Sequence, residues 1–164
     1  MSYRWLLGNA RRHRWLFVGV FLLLGIGIAG VCVNRMEPEC TSVEGEQLVN
    51  LPLAGLGPGT ARTFCYRDPR GEVIRFIVAR DPDGTIRSAF DACRSCFEHR
   101  KGYALTGAEM VCRFCGTGYP LKYMGTGIAS CVPIRLPHRT VSNSVQIKVA
   151  DLEAGRRLFR DKDD

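Results

Sequence analysis

Four cysteines of this chain form two Cys-x-x-Cys pairs, Cys93/Cys96 and Cys112/Cys115, with fifteen residues between the pairs. A fifth, Cys131, comes after another fifteen residues. In each pair the first thiol opens a tight turn and the second returns to the same point in space, so two such turns present four thiolates roughly tetrahedrally. That geometry suits Zn²⁺, a mononuclear iron or an iron–sulfur cluster. Gly102 follows the first pair, and Gly116 and Gly118 follow the second. Glycine there lets backbone amides turn towards sulfur and stabilise its charge. A c-type haem is not expected, because Phe97 and Gly116 stand where the haem motif needs His. Two other uses of the same cysteines stay open at this point. Outside the cytosol they can form a disulfide framework, and vicinal pairs can be redox-active without metal.

The elements that must position these thiols are mainly β, an antiparallel meander leading into zinc-ribbon-like CxxC knuckles. Residues 60–66, 72–80 and 85–90 read as three strands, separated by Asp68-Pro69-Arg70-Gly71 and Asp81-Pro82-Asp83-Gly84 turns. The central strand places Val73, Arg75, Ile77 and Ala79 on one side and Ile74, Phe76 and Val78 on the other. Asp91 precedes the first knuckle as a candidate acceptor of backbone hydrogen bonds. Tyr103 to Val111 reads as a short hairpin with its tip at Thr106-Gly107, feeding Cys112. Residues 141–150 read as a last strand, followed by a short helix with Asp151 as its N-cap. Cys65 lies in the first strand, and Cys40 is a candidate disulfide partner for Cys65 or Cys32.

Residues 1–14 form a basic segment, and residues 15–33 carry no charge. Nineteen residues of helix span about 28 Å, close to a bilayer core. The expectation is a single transmembrane anchor over 15–33, uncleaved, with the arginine-bearing N-terminus in the cytoplasm by the positive-inside rule. A cleaved signal peptide is the rival reading. Residues 34–60, with Leu51–Thr60 rich in Pro and Gly, read as a linker, and residues 61–160 as an extracytoplasmic cysteine-rich metal-binding domain.

The net charge is +7, of which +4 comes from Arg4, Arg11, Arg12 and Arg14. The basicity is therefore largely topogenic, and nucleic acid is not an expected partner. Seven basic residues and two acids lie between Cys93 and Arg139. Cations there offset the negative charge of a four-thiolate centre. No Ser/His/Asp arrangement, phosphate loop or paired carboxylates stand out, so the chain reads as a redox or electron-transfer component rather than a hydrolytic enzyme. His99 reads as a surface residue before a ligand. Met110 reads as core, and Tyr103, Tyr119 and Tyr123 as shields for the centre.

Two runs, RFIVARDPDGTIRSAFDACRSCFEHRKGY and MVCRFCGTGYPLKYMGTGIASCVPIRLP, carry a resemblance. Together with the late VADLEAGRRLF they make residues 62–160 similar to the soluble domain of the FtrD-like membrane iron–sulfur proteins. The resemblance implies a membrane-linked iron–sulfur protein of the bacterial cytoplasmic membrane, with an electron-transfer or iron-handling role in iron uptake. It implies an iron permease and periplasmic iron-binding or cupredoxin-like proteins as partners. Carried over by position, Cys93, Cys96, Cys112 and Cys115 are the metal-binding cysteines, and Cys131 is the late cysteine. The sequence departs from the family at Ala129-Ser130-Cys131-Val132-Pro133, where the family has Gly-Gly-Cys-Asn-Pro. Beside the iron–sulfur reading stand a structural zinc ribbon acting as a docking module and a metal-free CxxC thiol–disulfide protein. Zinc would be colourless and redox-silent.

Overall fold

A computed structural model of the chain describes residues 40–127 and 130–160. The anchor expected over 15–33 lies outside the described residues, and so does Cys32. Among the described residues no helix is long and apolar enough to cross a membrane.

Among the described residues, eleven strands form three sheets. They are β1 (Thr41–Val43), β2 (Leu48–Pro52), β3 (Thr60–Arg67), β4 (Val73–Arg80), β5 (Ile86–Cys93), β6 (Tyr103–Thr106), β7 (Glu109–Cys112), β8 (Gly118–Pro120), β9 (Pro133–Arg135), β10 (Arg139–Val141) and β11 (Ser144–Lys148). The central sheet runs β1-β3-β4-β5-β9. It is antiparallel throughout except for β1, which pairs with β3 in parallel. The second sheet is β10-β11-β2 and the third is β6-β7-β8.

The meander follows from its turns. Asp68 Oδ1 accepts the N–H of Arg70 and of Glu72, each at 2.9 Å, and so closes its own turn. Asp81 does the same for the next, taking the Thr85 N–H at 2.8 Å. Asp81 also accepts from Arg87 Nε at 2.8 Å. Burial raises the Asp81 pKa, but the Arg87 and Thr85 bonds outweigh it and hold it below its ordinary value.

Strand β4 is apolar on both faces because both are covered. Ile74, Phe76 and Val78 face a first core, shared with Val49 and Leu51 of β2, Val145 and Ile147 of β11, and Leu152. Ile77 and Ala79 face a second core, which holds Cys93, Tyr103, Met110, Cys112, Tyr119 and Leu121. Each fully buried Phe or Ile side chain contributes about 2 kcal/mol. The site therefore sits in the second core, between the central sheet and the β6-β7-β8 sheet.

Three readings of the sequence are corrected. Residues 41–43 and 48–52 are strands, not linker, and Cys40 is disulfide-bonded to Cys65 with a Cα–Cα distance of 5.6 Å. Val49 and Leu51 alternate inward along β2 and pair with Ile147 and Val145 of β11, a partner about a hundred positions away. Residues 139–148 form a hairpin rather than one strand, because Ser142 adopts a left-handed φ of 51° and turns the chain. The helix α1 (Val149–Ala154) starts before Asp151, with Lys148 at its N-cap. The Val149 N–H is taken by Gln47 O at 2.9 Å, and Lys148 makes no side-chain cap bond.

Candidate metal centre

Strand β5 ends on Cys93 and strand β7 on Cys112, so each first thiol is fixed by a sheet. Each knuckle then folds back on its own sulfur. The Cys96 N–H donates to Cys93 O at 3.1 Å, and the N–H groups of Ser95 and Cys96 lower the pKa of the Cys93 thiol. Those of Phe114 and Cys115 act in the same sense on the Cys112 thiol. The two turns are thus built alike. The first continues into a 3₁₀ turn, Phe97–His99. The second closes through Gly116, at φ +71°, whose N–H donates to Cys112 O at 2.9 Å. Cys131 reaches the same place from the loop before β9. Ser95 Oγ donates to Ser130 O at 2.6 Å, and Arg94 N–H to Val132 O at 3.0 Å, tying that loop to the first knuckle.

All five sulfurs come together in two overlapping triads. Cys93, Cys96 and Cys112 lie within 4.8 Å of one another, as do Cys96, Cys115 and Cys131. Cys96 belongs to both. The inner triad is the more buried, with Cys93 and Cys112 each 2% exposed. In the outer triad Cys115 is exposed, and its sulfur is 3.3 Å from that of Cys131. Cys40 and Cys65 are used elsewhere, in their own disulfide.

The thiols divide electrostatically. Burial pushes Cys93 up, but the Ser95 N–H, the Tyr103 hydroxyl and the Cys96 N–H together hold it below the ordinary thiol value. Thr117 brings Cys115 down to about 6, through a hydroxyl 3.3 Å away and through its N–H. Cys96 is pushed up by burial and by neighbouring Cys93 and Cys115. Cys112 is raised by burial, and Cys131 by Cys115. Each triad thus holds one thiol with a lowered pKa, Cys93 or Cys115, and two with raised ones. A bound cation offsets that rise, since metal ligation and thiol ionisation are linked. An all-sulfur donor set selects zinc or iron–sulfur centres over hard cations. The residues present therefore fit a thiolate-bound metal or cluster.

The ground beneath the first knuckle is Asp91, 3% exposed. Its Oδ1 accepts the Tyr103 N–H at 2.7 Å. Arg75 Nε stands 3.2 Å from Oδ2, an ion pair without a well-directed hydrogen bond. Burial raises the Asp91 pKa to about 6, against the lowering effects of the Tyr103 N–H, Arg75 and Arg113. Gly102 is held at φ +63°, and a Cβ there would run into the Asp91 carboxylate. Arg113 donates its Nε to Tyr103 O and its N–H to Gly102 O, joining the second knuckle to the exit of the first. The Tyr103 hydroxyl lies 3.1 Å from Cys131 O as well, so its single proton is shared between that carbonyl and the Cys93 sulfur, and one residue touches three parts of the site.

The remaining candidates sort by burial. Met110 and Met124 are buried in the second core with Tyr119, whereas Tyr123 is 48% exposed and shields little. His99 joins neither triad; its ring stacks on Phe114 at 3.5 Å and 8°, joining the two knuckles on their outer side. Thr117 and the role of Arg75 escaped sequence reasoning, and Arg113 was expected only as one of the cations around the thiolates. Only Thr117 left a signal, as a hydroxyl residue two positions beyond a knuckle cysteine.

No curated protein matches the chain. The family described as membrane iron-sulfur containing protein FtrD-like matches residues 56–159, a span that holds β3 to α1, both knuckles and Cys131. The chain belongs to the FtrD-like membrane iron–sulfur protein family.

Proposed function

We infer that this protein is a membrane-anchored iron–sulfur protein that transfers single electrons to or from iron within an iron-uptake system. The observation that carries this reading is the pair of thiol triads sharing Cys96, in a domain of an iron–sulfur family. Cys93, Cys96, Cys112, Cys115 and Cys131 are the ligand set. A cluster held by them supplies one-electron transfer, which suits the Fe²⁺/Fe³⁺ couple. The chain's own residues do the rest. Knuckle N–H groups and the Tyr103 hydroxyl stabilise thiolate charge. Leu121, Met110 and Val132 keep water from the inner face. Residues 15–33 are the single-pass anchor, with the N-terminus in the cytoplasm and the soluble domain outside it. The Cys40–Cys65 disulfide supports that placement, because disulfides persist in oxidising compartments. The membrane partner is an iron permease, and the soluble ones are periplasmic iron-binding or cupredoxin-like proteins.

A second reading, a zinc ribbon that docks within a membrane complex, is favoured by the close set of sulfurs. Four thiolates about 2.3 Å from one zinc lie about 3.8 Å from each other, compatible with triads inside 4.8 Å. The deciding experiment is metal and acid-labile sulfide content, with a visible spectrum, of the full chain purified in detergent without oxygen. Iron with sulfide and a brown colour that bleaches on reduction supports the electron-transfer reading. One zinc per chain and no colour replaces it with the docking ribbon. Full metal content in both Cys93→Ser and Cys112→Ser would sink the ligand assignment.

A further inference from the structure

Two sulfurs of the centre are also placed to react with each other. Cys115 Sγ and Cys131 Sγ are 3.3 Å apart, so a disulfide of about 2.05 Å requires an approach of about 1.3 Å. Both residues stand in loops, Cys115 in the turn after β7 and Cys131 ahead of β9, where the backbone yields more readily than in a strand. Access separates them from the rest. Cys115 is exposed and Cys131 half-buried, while Cys93 and Cys112 are each 2% exposed at strand ends. A small oxidant reaches the outer triad first. The chain already carries one disulfide, Cys40–Cys65, so the domain is built for surroundings in which a second can form.

We propose that Cys115 and Cys131 close a disulfide in the metal-free protein, and that this bond and metal binding exclude one another. The bond itself needs only the two thiols; the exclusion rests on the ligand set proposed above. With oxidised glutathione as the oxidant, the Cys115 thiolate attacks one glutathione sulfur. A mixed disulfide forms and one glutathione thiolate leaves. The Cys131 thiolate then attacks the Cys115 sulfur and expels the second glutathione. Two protein thiols give up two protons and two electrons, and the glutathione disulfide becomes two glutathione molecules. The outer triad is left with Cys96 alone, and the free thiols of the set fall to Cys93, Cys96 and Cys112, one short of the four a tetrahedral all-sulfur centre takes.

The sequence makes the test unambiguous, because trypsin places each of the five cysteines in its own peptide. Cys93 lies in 88–94, Cys96 in 95–100, Cys112 in 102–113, Cys115 in 114–122 and Cys131 in 123–135. Full-length protein in detergent, stripped of metal by a chelator without thiol reductant, is treated with oxidised glutathione. Free thiols are alkylated, and the digest is read by mass spectrometry without reduction. The expected product joins 114–122 to 123–135, next to the Cys40–Cys65 cross-link. Cys131→Ser is expected to stop at a glutathione adduct on Cys115. A dominant Cys93–Cys96 or Cys112–Cys115 cross-link overturns the proposal, as does a wild-type adduct on Cys115 that never resolves. Metal-loaded protein is expected to form the cross-link at least tenfold more slowly, and pre-oxidised protein to take up correspondingly less added iron or zinc. A cross-link that forms equally fast with metal retained leaves the bond standing. It overturns the exclusion and removes Cys115 and Cys131 from the ligand set.

Discussion

Replacing Gly102 by Ala puts the support of the first knuckle to a quantitative test. Gly102 has φ +63°, and an alanine there costs about 1–2 kcal/mol for the left-handed conformation alone. Its Cβ would also stand 2.5 Å from Asp91 Oδ1 and 2.7 Å from Asp91 Cγ. Asp91 has nowhere to retreat, being buried, bonded to the Tyr103 N–H at 2.7 Å and paired with Arg75. Breaking that bond to a carboxylate costs a further 1.5–3 kcal/mol, roughly. The sum is about 2.5–5 kcal/mol. Gly107 is a matched control, because its φ is +57° and a Cβ there meets nothing within 4 Å. Gly107→Ala should therefore lose only about 1–2 kcal/mol. Denaturant unfolding of the full chain, followed by circular dichroism of the sheets, measures both. If the two variants lose the same stability to within about 0.5 kcal/mol, the conformational cost alone accounts for them. The carboxylate contact, and with it Asp91 as the knuckle's support, is then refuted.

Arg87→Met removes the guanidinium from buried Asp81 and should cost about 2 kcal/mol at neutral pH. The folded pKa of Asp81 is lowered, so its stabilisation is present above the ordinary carboxylate value and is lost as pH falls through the folded value. Unfolding curves of the two proteins should accordingly begin to approach each other below about pH 4 and meet only below the lowered folded value; a constant gap would show that the pair does not titrate. Tyr103→Phe loses the bond to Cys131 O and should destabilise by about 1 kcal/mol in the same assay. Cys65→Ser opens a loop of sequence separation 25 and should cost about 3.5 kcal/mol by the chain-entropy relation, visible as a fall in Tm.

Local chemistry was legible in the sequence and distant pairing was not. The Asp-Pro turns announce the meander because each aspartate caps its own turn, at Asp68 and at Asp81. The CxxC spacing likewise announces knuckles whose N–H groups point at their own first sulfur. Strand β2 stayed hidden because Pro52, Gly55, Gly57 and Pro58 surround its short Val49/Leu51 alternation, and its partner β11 lies far along the chain. The choice of Cys65 for Cys40 depends on β1 lying parallel to β3, which aligns Thr41 with Phe64. No local pattern encodes that register. Asp151 looked like the helix N-cap, but the Val149 N–H finds its acceptor in Gln47 and the N-cap is Lys148, three residues earlier. Arg75 gave no sign of its role, since only the fold brings it against Asp91.

The two faces of β4 also divide the molecule into parts of unequal autonomy. The first core has seventeen buried residues and no cysteine among them. The second has eleven, and Cys93 and Cys112 are two of these. The sheet β6-β7-β8 packs only onto that smaller, thiol-containing layer, so its persistence draws on whatever the sulfurs hold. Chelation should then set apart two populations of backbone amides. Those of β6 and β7 would exchange with solvent as one cooperative opening, while those of β3 and β11 keep their protection. Metal affinity would then be measurable as the free energy of a sub-global unfolding event, in a protein whose larger half does not register the loss.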